Sequence, residues 1–227
     1  MENFINYSNY RPEVFLSPLA FWKFEIHGYP ILMMLWNIFL VLIALWLTYT
    51  IVQYLKEKNK SMITLALLFL AWLFMAPNTA YLLTETRHSL ASCSVEVYNH
   101  ICAPTAWGPI FFFLFATVGW LSFIWTVRPL ETAIAKHYGQ KTSFWFVIVT
   151  LLLLSLGVLL GLVNRFNSWE ILTDPLGIIV TSVSYLLDLT SLRNYFMMTF
   201  LLSILYLIGS HVIIRLPWEK KGSTSKL

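Results

Sequence analysis

Four polar residues in one short stretch are spaced so that they could act together. If the chain from Asn78 to His88 is helical, Asn78, Tyr81, Glu85 and His88 fall within about 80° of one another, at 100° per residue. Glu85-x-x-His88 sets a carboxylate and an imidazole one turn apart. That i, i+3 pattern holds metal in helical bundles, and it also serves as a general acid–base pair. Glu96 and His100 add a second acid–imidazole pair at i, i+4. Further along, Arg165-Phe166-Asn167-Ser168-Trp169-Glu170 offers a guanidinium that cannot lose its charge and suits a phosphate or carboxylate. Two readings of Glu170 stay open: a third carboxylate for acid–base work, or, with Asn167, a capping box that starts the next helix. Trp169 is either a ligand contact or an interfacial anchor. The candidate catalytic groups are therefore Glu85, His88 and Glu170. A divalent metal is the only cofactor the residues suggest, with Glu85 and His88 as its ligands. The candidate substrate contacts are Arg165, Asn78, Tyr81, Asn167 and Trp169.

The elements that must carry these residues are unusual in their apolarity. Five stretches, 31–55, 62–83, 107–127, 144–163 and 195–214, each have about the 20 residues that a helix needs to cross a bilayer core about 30 Å thick. Ionisable groups are almost absent within them, and they are apolar all round, unlike the helices of a soluble bundle. With 58% hydrophobic and 11% charged residues, the chain reads as an all-α, polytopic transmembrane helical bundle. Three parts follow: an N-terminal interfacial segment over 1–30, a membrane domain over 31–214 and a basic tail over 215–227. The bilayer is the first expected partner. The net charge of +4 is no nucleic-acid signal, because the basic residues sit in short connections between spans.

Counting those residues predicts an orientation. Lys56, Lys58, Lys60, Arg128, Lys136, Lys141, Arg215, Lys220, Lys221 and Lys226 fall on one side; Arg11, Lys23, Arg87, Arg165 and Arg193 fall on the other. The positive-inside bias puts the N-terminus outside a plasma membrane and the C-terminus in the cytoplasm, with the polar residues near the extracytoplasmic surface. The stretch 175–191 decides whether that count holds, because a full crossing there would invert it. Thr181, Ser184, Asp188 and Ser191 form a polar stripe at helical spacing, which favours a short interfacial or re-entrant helix. Asp174 before Pro175 is a good start for it. Glu13–Tyr29, rich in aromatics, reads as a surface-lying segment. Cys93 and Cys102, in a connection placed outside, are open to two readings: a disulfide or two ordinary thiols. Gly157-x-x-x-Gly161 gives a face on which another helix can approach closely.

The two polar stretches also carry a family resemblance. Pro77-Asn78-Thr79-Ala80-Tyr81-Leu82-Leu83-Thr84-Glu85, with His88 following, resembles the Pro-Asn-Thr-Pro-Tyr…Thr-Asp…His signature of a bacterial membrane-protein family, domain of unknown function 1361. Arg165 with Asn167-Ser168-Trp169-Glu170 resembles that family's Arg…Asn-Ser-Trp-Asp signature. The similarity runs over roughly 36–214. Ala80 stands where the family usually has Pro, and Glu85 and Glu170 stand where it usually has Asp. The resemblance implies a multi-pass bacterial inner-membrane protein and supplies no activity.

Three function classes follow. The first is a membrane protein that assembles with or regulates a membrane-protein partner. The second is a membrane enzyme that acts on a lipid or lipid-linked anionic substrate, with Arg165 on the head group. The third is a small transporter, which would hold its carboxylates at the bilayer midplane rather than at a surface.

Overall fold

The structure, a computed structural model, describes residues 25–26, 29–90, 107–168 and 170–213. Cys93, Cys102, Glu96, His100, Trp169, the tail 215–227 and most of the 1–30 segment lie outside the described residues.

Glu25–Ile26 (β1) and Tyr29–Pro30 (β2) form a two-residue antiparallel ladder that leads into the first helix. Helices follow over Ile31–Tyr54 (α1), Met62–Met75 (α2) and Pro77–Tyr81 (α3), and then a 3-10 helix over Leu82–Leu90. Gly108–Tyr138 (α4), Gln140–Val163 (α5), Glu170–Thr173 (α6), Pro175–Leu187 (α7) and Leu189–Ile213 (α8) complete the chain. Five helical runs are long and apolar enough to cross a membrane. Their outward faces carry Leu35, Phe39, Leu42, Trp46, Phe113, Phe144, Trp145 and Phe200, all exposed. So much contiguous apolar surface belongs in lipid, and the protein is a multi-pass membrane protein.

Several boundaries differ from the sequence reading. The connection expected over 128–143 is mostly helix: α4 runs through Pro129 to Tyr138, and the break falls at Gly139 alone. Gly139 turns the chain at φ 90, a conformation that glycine reaches without a steric penalty. The last helix begins at Leu189, not Tyr195, so Arg193 lies in its first turns. The polar stripe over Thr181–Ser191 is interrupted. α7 stops at Leu187, and Asp188 leaves the helix to cap α8 by accepting from the Ser191 backbone N–H at 2.7 Å. That capping, led by Ser191, holds the Asp188 carboxyl below its ordinary range. Asp174 caps the start of α7 as expected, accepting from Gly177 N–H at 3.0 Å.

Two ends of the bundle are distinguishable. The Lys60 ammonium stands 5.7 Å from the Tyr138 ring centroid, which puts the α1–α2 and α4–α5 turns at one end, the basic end. The opposite end gathers β2, the start of α1, the 3-10 helix, the start of α4 and the end of α5. There Tyr185, in the last turns of α7, donates to Asn164 Oδ1 at 3.0 Å. α7 therefore starts and finishes at this end, and the five long helices alternate in direction.

Between the ends, packing rather than water exclusion must hold the helices together, since lipid is as apolar as leucine. The buried indole of Trp72 donates to Thr48 Oγ1 at 2.9 Å, and Thr48 Oγ1 lies 3.1 Å from the Thr126 carbonyl, which ties α1, α2 and α4. Gly157 packs on Pro77: a Cβ there would stand 2.6 Å from Pro77 Cγ. Gly161 lies beside the Tyr81 ring. The small-residue face of α5 thus receives α3 of the same chain. Gly157→Leu must push α3 away, a cost of about 1–3 kcal/mol. Its melting temperature in detergent is expected to fall, and an unchanged value would show that this contact yields freely.

Candidate functional site

Glu85 is the centre of a polar cluster at the end opposite the basic one. Its side chain has no exposed surface, although it sits among apolar helices. Three elements reach it. From α1, Asn37 Nδ2 donates to Glu85 Oε1 at 3.4 Å and to the Tyr29 hydroxyl at 2.8 Å. From β2, the Tyr29 hydroxyl lies close enough for the Glu85 charge to act on it. Burial first, and the Glu85 charge second, push the Tyr29 phenol above its ordinary range, so it stays neutral. From the 3-10 helix, His88 Nε2 lies 3.2 Å from Glu85 Oε2, and an Arg87 terminal nitrogen lies 4.0 Å from Oε1. The His88 ring stacks on Tyr29 at 4.3 Å and faces Phe112 of α4 at 6.0 Å.

The winding explains this geometry. At three residues per turn, i and i+3 eclipse, so Glu85 and His88 meet more directly than α-helical spacing allows. Arg87 is six residues, or two such turns, beyond Tyr81. Its guanidinium donates to the Tyr81 hydroxyl at 3.1 Å and lies 5.9 Å from the ring centroid. In an α-helix those two residues would point about 120° apart. A sequence reading that assumes α-helix through His88 therefore misses Arg87. Within the 3-10 turn the Thr84 and Thr86 hydroxyls each bond the carbonyl three residues back, at 2.7 and 3.1 Å. Asn37 has no sequence spacing that links it to Glu85, and Tyr29 falls in the segment read as surface-lying. Tyr29 is buried.

Hydrogen bonding in the cluster is incomplete. Arg87 Nε–H donates to His88 Nε2 at 3.2 Å, so that nitrogen presents a lone pair and has no hydrogen to give Glu85. Glu85 Oε2 lacks a donor of acceptable geometry, His88 Nε2 at 3.2 Å included. A buried acceptor left this way costs about 1–3 kcal/mol.

The second signature touches the first. Asn78 Nδ2 donates to Ser168 Oγ at 2.9 Å and to the Met75 carbonyl at 2.9 Å. Glu170 turns inward on its own loop, accepting from the Asn167 backbone N–H at 2.9 Å and from Asn167 Nδ2 at 3.3 Å. That is the capping-box use of the pair, and Glu170 is not brought to Glu85. Arg165 is exposed and follows the end of α5 in the left-handed region, at φ 63. A wide turn closes there, from Phe166 N–H to the Leu160 carbonyl at 3.2 Å. Glycine ordinarily fills such a position. Among the described residues the Arg165 guanidinium makes no hydrogen bond or ion pair, yet its charge acts on both Glu85 and His88.

A metal fits this arrangement in one respect only. Two ligands about 2.1 Å from a tetrahedral ion stand about 3.4 Å apart, near the Glu85–His88 separation. Against that, Arg87 occupies the imidazole nitrogen a metal would need. Two guanidiniums act on the one carboxylate, and no third His, Cys, Asp or Glu joins the pair among the described residues. One negative and two positive charges make an anion the better complement.

Fold and cluster together define a polytopic helical membrane protein with a buried carboxylate–imidazole–guanidinium cluster at one end of its bundle. A family model described as "Protein of unknown function (DUF1361)" matches residues 36–208, and the chain belongs to that family. No curated protein and no solved structure matches it.

Proposed function

We propose that this membrane protein binds the anionic head group of a lipid or lipid-linked molecule at the end that carries Glu85. One observation carries the reading: Arg165 is an exposed cation in a backbone conformation that favours glycine, and it has no bonded partner among the described residues. A strained residue whose side chain faces outward beside a buried cluster is the kind that function retains. Arg87 supplies a second guanidinium, anchored through Tyr81 and His88. Asn78 and Asn167 serve the site by fixing the loop that presents Arg165. The concentration of Lys56, Lys58, Lys60, Lys136 and Lys141 at the other end supports an extracytoplasmic position for the site, with the N-terminus outside.

A second reading rests on the same residues. Glu85 and His88 at 3.2 Å form a carboxylate–imidazole pair of the kind that moves protons in general acid–base catalysis, so the bound head group would also be a substrate. A transporter is disfavoured, because the cluster lies at a bundle end. An assembly role would give Arg165 to a partner's carboxylate instead of a phosphate.

The experiment is lipid retention. Protein exchanged into phosphatidylcholine nanodiscs is mixed with short-chain phosphatidylglycerol and measured by native mass spectrometry, beside Arg165→Gly. Binding by the wild type and its loss in the variant are expected. Equal binding by both would remove Arg165, and with it this reading.

A further inference from the structure

The charges gathered around Glu85 do not cancel. Arg87 and Arg165 are the cations that act on its carboxylate, and two guanidiniums less one carboxylate leave one positive charge. The other ionisable neighbours do not change that sum. His88 Nε2 accepts from Arg87 Nε–H, so the ring is neutral, and a proton added there would set donor against donor. Tyr29 keeps its phenol proton. Glu170 is held by the Asn167 amides of its own loop. Glu85 cannot turn away: its side chain has no exposed surface, and Asn37 Nδ2 donates to Oε1 at 3.4 Å. Buried charges are screened far less than exposed ones, so its field reaches its surroundings. Arg87 links the carboxylate to the outside. One terminal nitrogen stands 4.0 Å from Glu85 Oε1, while 29% of the side chain is exposed. Nε and Nη2 serve His88 and Tyr81, which leaves Nη1 without a bond among the described residues.

We infer that this site selects its ligand by charge, taking a head group with one negative charge over one with two, and that Glu85 is the discriminating residue. The inference rests on the head-group reading above and narrows it to a phosphodiester, as against a phosphomonoester. A phosphodiester brings the cluster to neutrality. The second charge of a phosphomonoester meets no further cation and is repelled by Glu85. At an effective dielectric of about 20, unit charges about 12 Å apart repel enough to change an equilibrium about tenfold. An oxyanion bonded to Arg87 lies inside that range, because Arg87 itself reaches to 4.0 Å from Oε1. Two guanidiniums alone would favour the dianion, as arginine clusters favour phosphomonoesters. Glu85 lowers the affinity for every anion, and lowers it most for the dianion. A carboxylate buried in an anion site thus acts by repulsion, which separates two ligands that attraction alone would rank the other way.

The probes are short-chain phosphatidic acid and its methyl ester, phosphatidylmethanol, which differ by one methyl group and one charge. At about pH 8.5 the monoester carries two charges, its second pKa being about 6, and the diester carries one. Each is titrated into protein in phosphatidylcholine nanodiscs, and binding is read by native mass spectrometry. The wild type is expected to bind phosphatidylmethanol about tenfold more tightly than phosphatidic acid. Glu85→Gln is expected to lose that preference through tighter binding of phosphatidic acid, an increase that a merely structural role would not produce. Glu85→Asp keeps the charge and is expected to keep the preference. A wild type that holds phosphatidic acid as tightly as its methyl ester would overturn the inference without any variant. So would an unchanged ratio in Glu85→Gln, or one lost only through weaker phosphatidylmethanol binding. Loss of the preference in Glu85→Asp would overturn it too, by assigning the preference to shape. In all these cases a lipid that binds the wild type and not Arg165→Gly leaves the head-group reading standing. Binding of neither lipid by the wild type would overturn both.

Discussion

Glu85→Ala will destabilise this protein more than any other single change at its end of the bundle. The side chain is fully buried and is the common partner of Asn37, Tyr29, Arg87 and His88. Truncation leaves a part-buried guanidinium, an amide and a phenol facing a cavity. Removing one member of a buried charge pair costs about 3–5 kcal/mol. Glu85→Gln keeps the volume and the Oε1 acceptor for Asn37 but loses the charge, and its cost should be nearer the 1–3 kcal/mol of a single disturbed buried hydrogen bond. The check is a thermal scan in detergent at one fixed rate, since membrane proteins often unfold irreversibly. The expected order of melting temperatures is wild type, then Glu85→Gln, then Glu85→Ala. If alanine melts with the wild type, the cluster contributes nothing to the fold and its burial is incidental.

The helical membrane architecture was legible in the sequence because lipid tolerates so few alternatives. A run of about 20 apolar residues has to be helical, and its limits are set by where polar residues return. That logic fails where a helix leaves the apolar zone without ending. α4 continues through Arg128 and Glu131, which pair at 2.5 Å, while Tyr206 donates to Glu131 from α8. Those charges looked like a loop because charge ends an apolar run, and the partners that receive them in the helix are not visible in a one-dimensional count. The same limit applied to the polar cluster. Glu85 and His88 were recognisable from their spacing. Arg87 became readable only with 3-10 winding, and Asn37 and Tyr29 only with the tertiary contact of α1 and β2 against the 3-10 helix. The meeting of Asn78 with Ser168, 90 residues apart, has no local pattern behind it.

Arg165→Gly should leave the protein at least as stable as the wild type while weakening its hold on anionic lipid about tenfold to a hundredfold. The first half follows from the backbone. Arg165 sits at φ 63, where an L-residue is disfavoured by roughly 1–2 kcal/mol and glycine is not. Part of that gain is returned, because glycine loses more chain entropy on folding, by about 0.4–1 kcal/mol. The second half follows from the guanidinium, whose hydrogen bonds to a charged group contribute about 1.5–3 kcal/mol, and each 1.4 kcal/mol is tenfold in affinity. Arg165→Ala separates the two effects. It loses the same guanidinium but keeps the left-handed strain, so its affinity should match that of the glycine variant while its melting temperature stays below it. Arg165→Lys keeps a charge without the planar fork and should fall between alanine and wild type in affinity. A structural guanidinium, held by the neighbouring carboxylates, behaves in the opposite way. Both truncations would then melt lower than the wild type, and phosphatidylglycerol binding would be the same in all four proteins. That combination would make Arg165 a strut of the α5–α6 turn, and the anion site would have to be sought elsewhere.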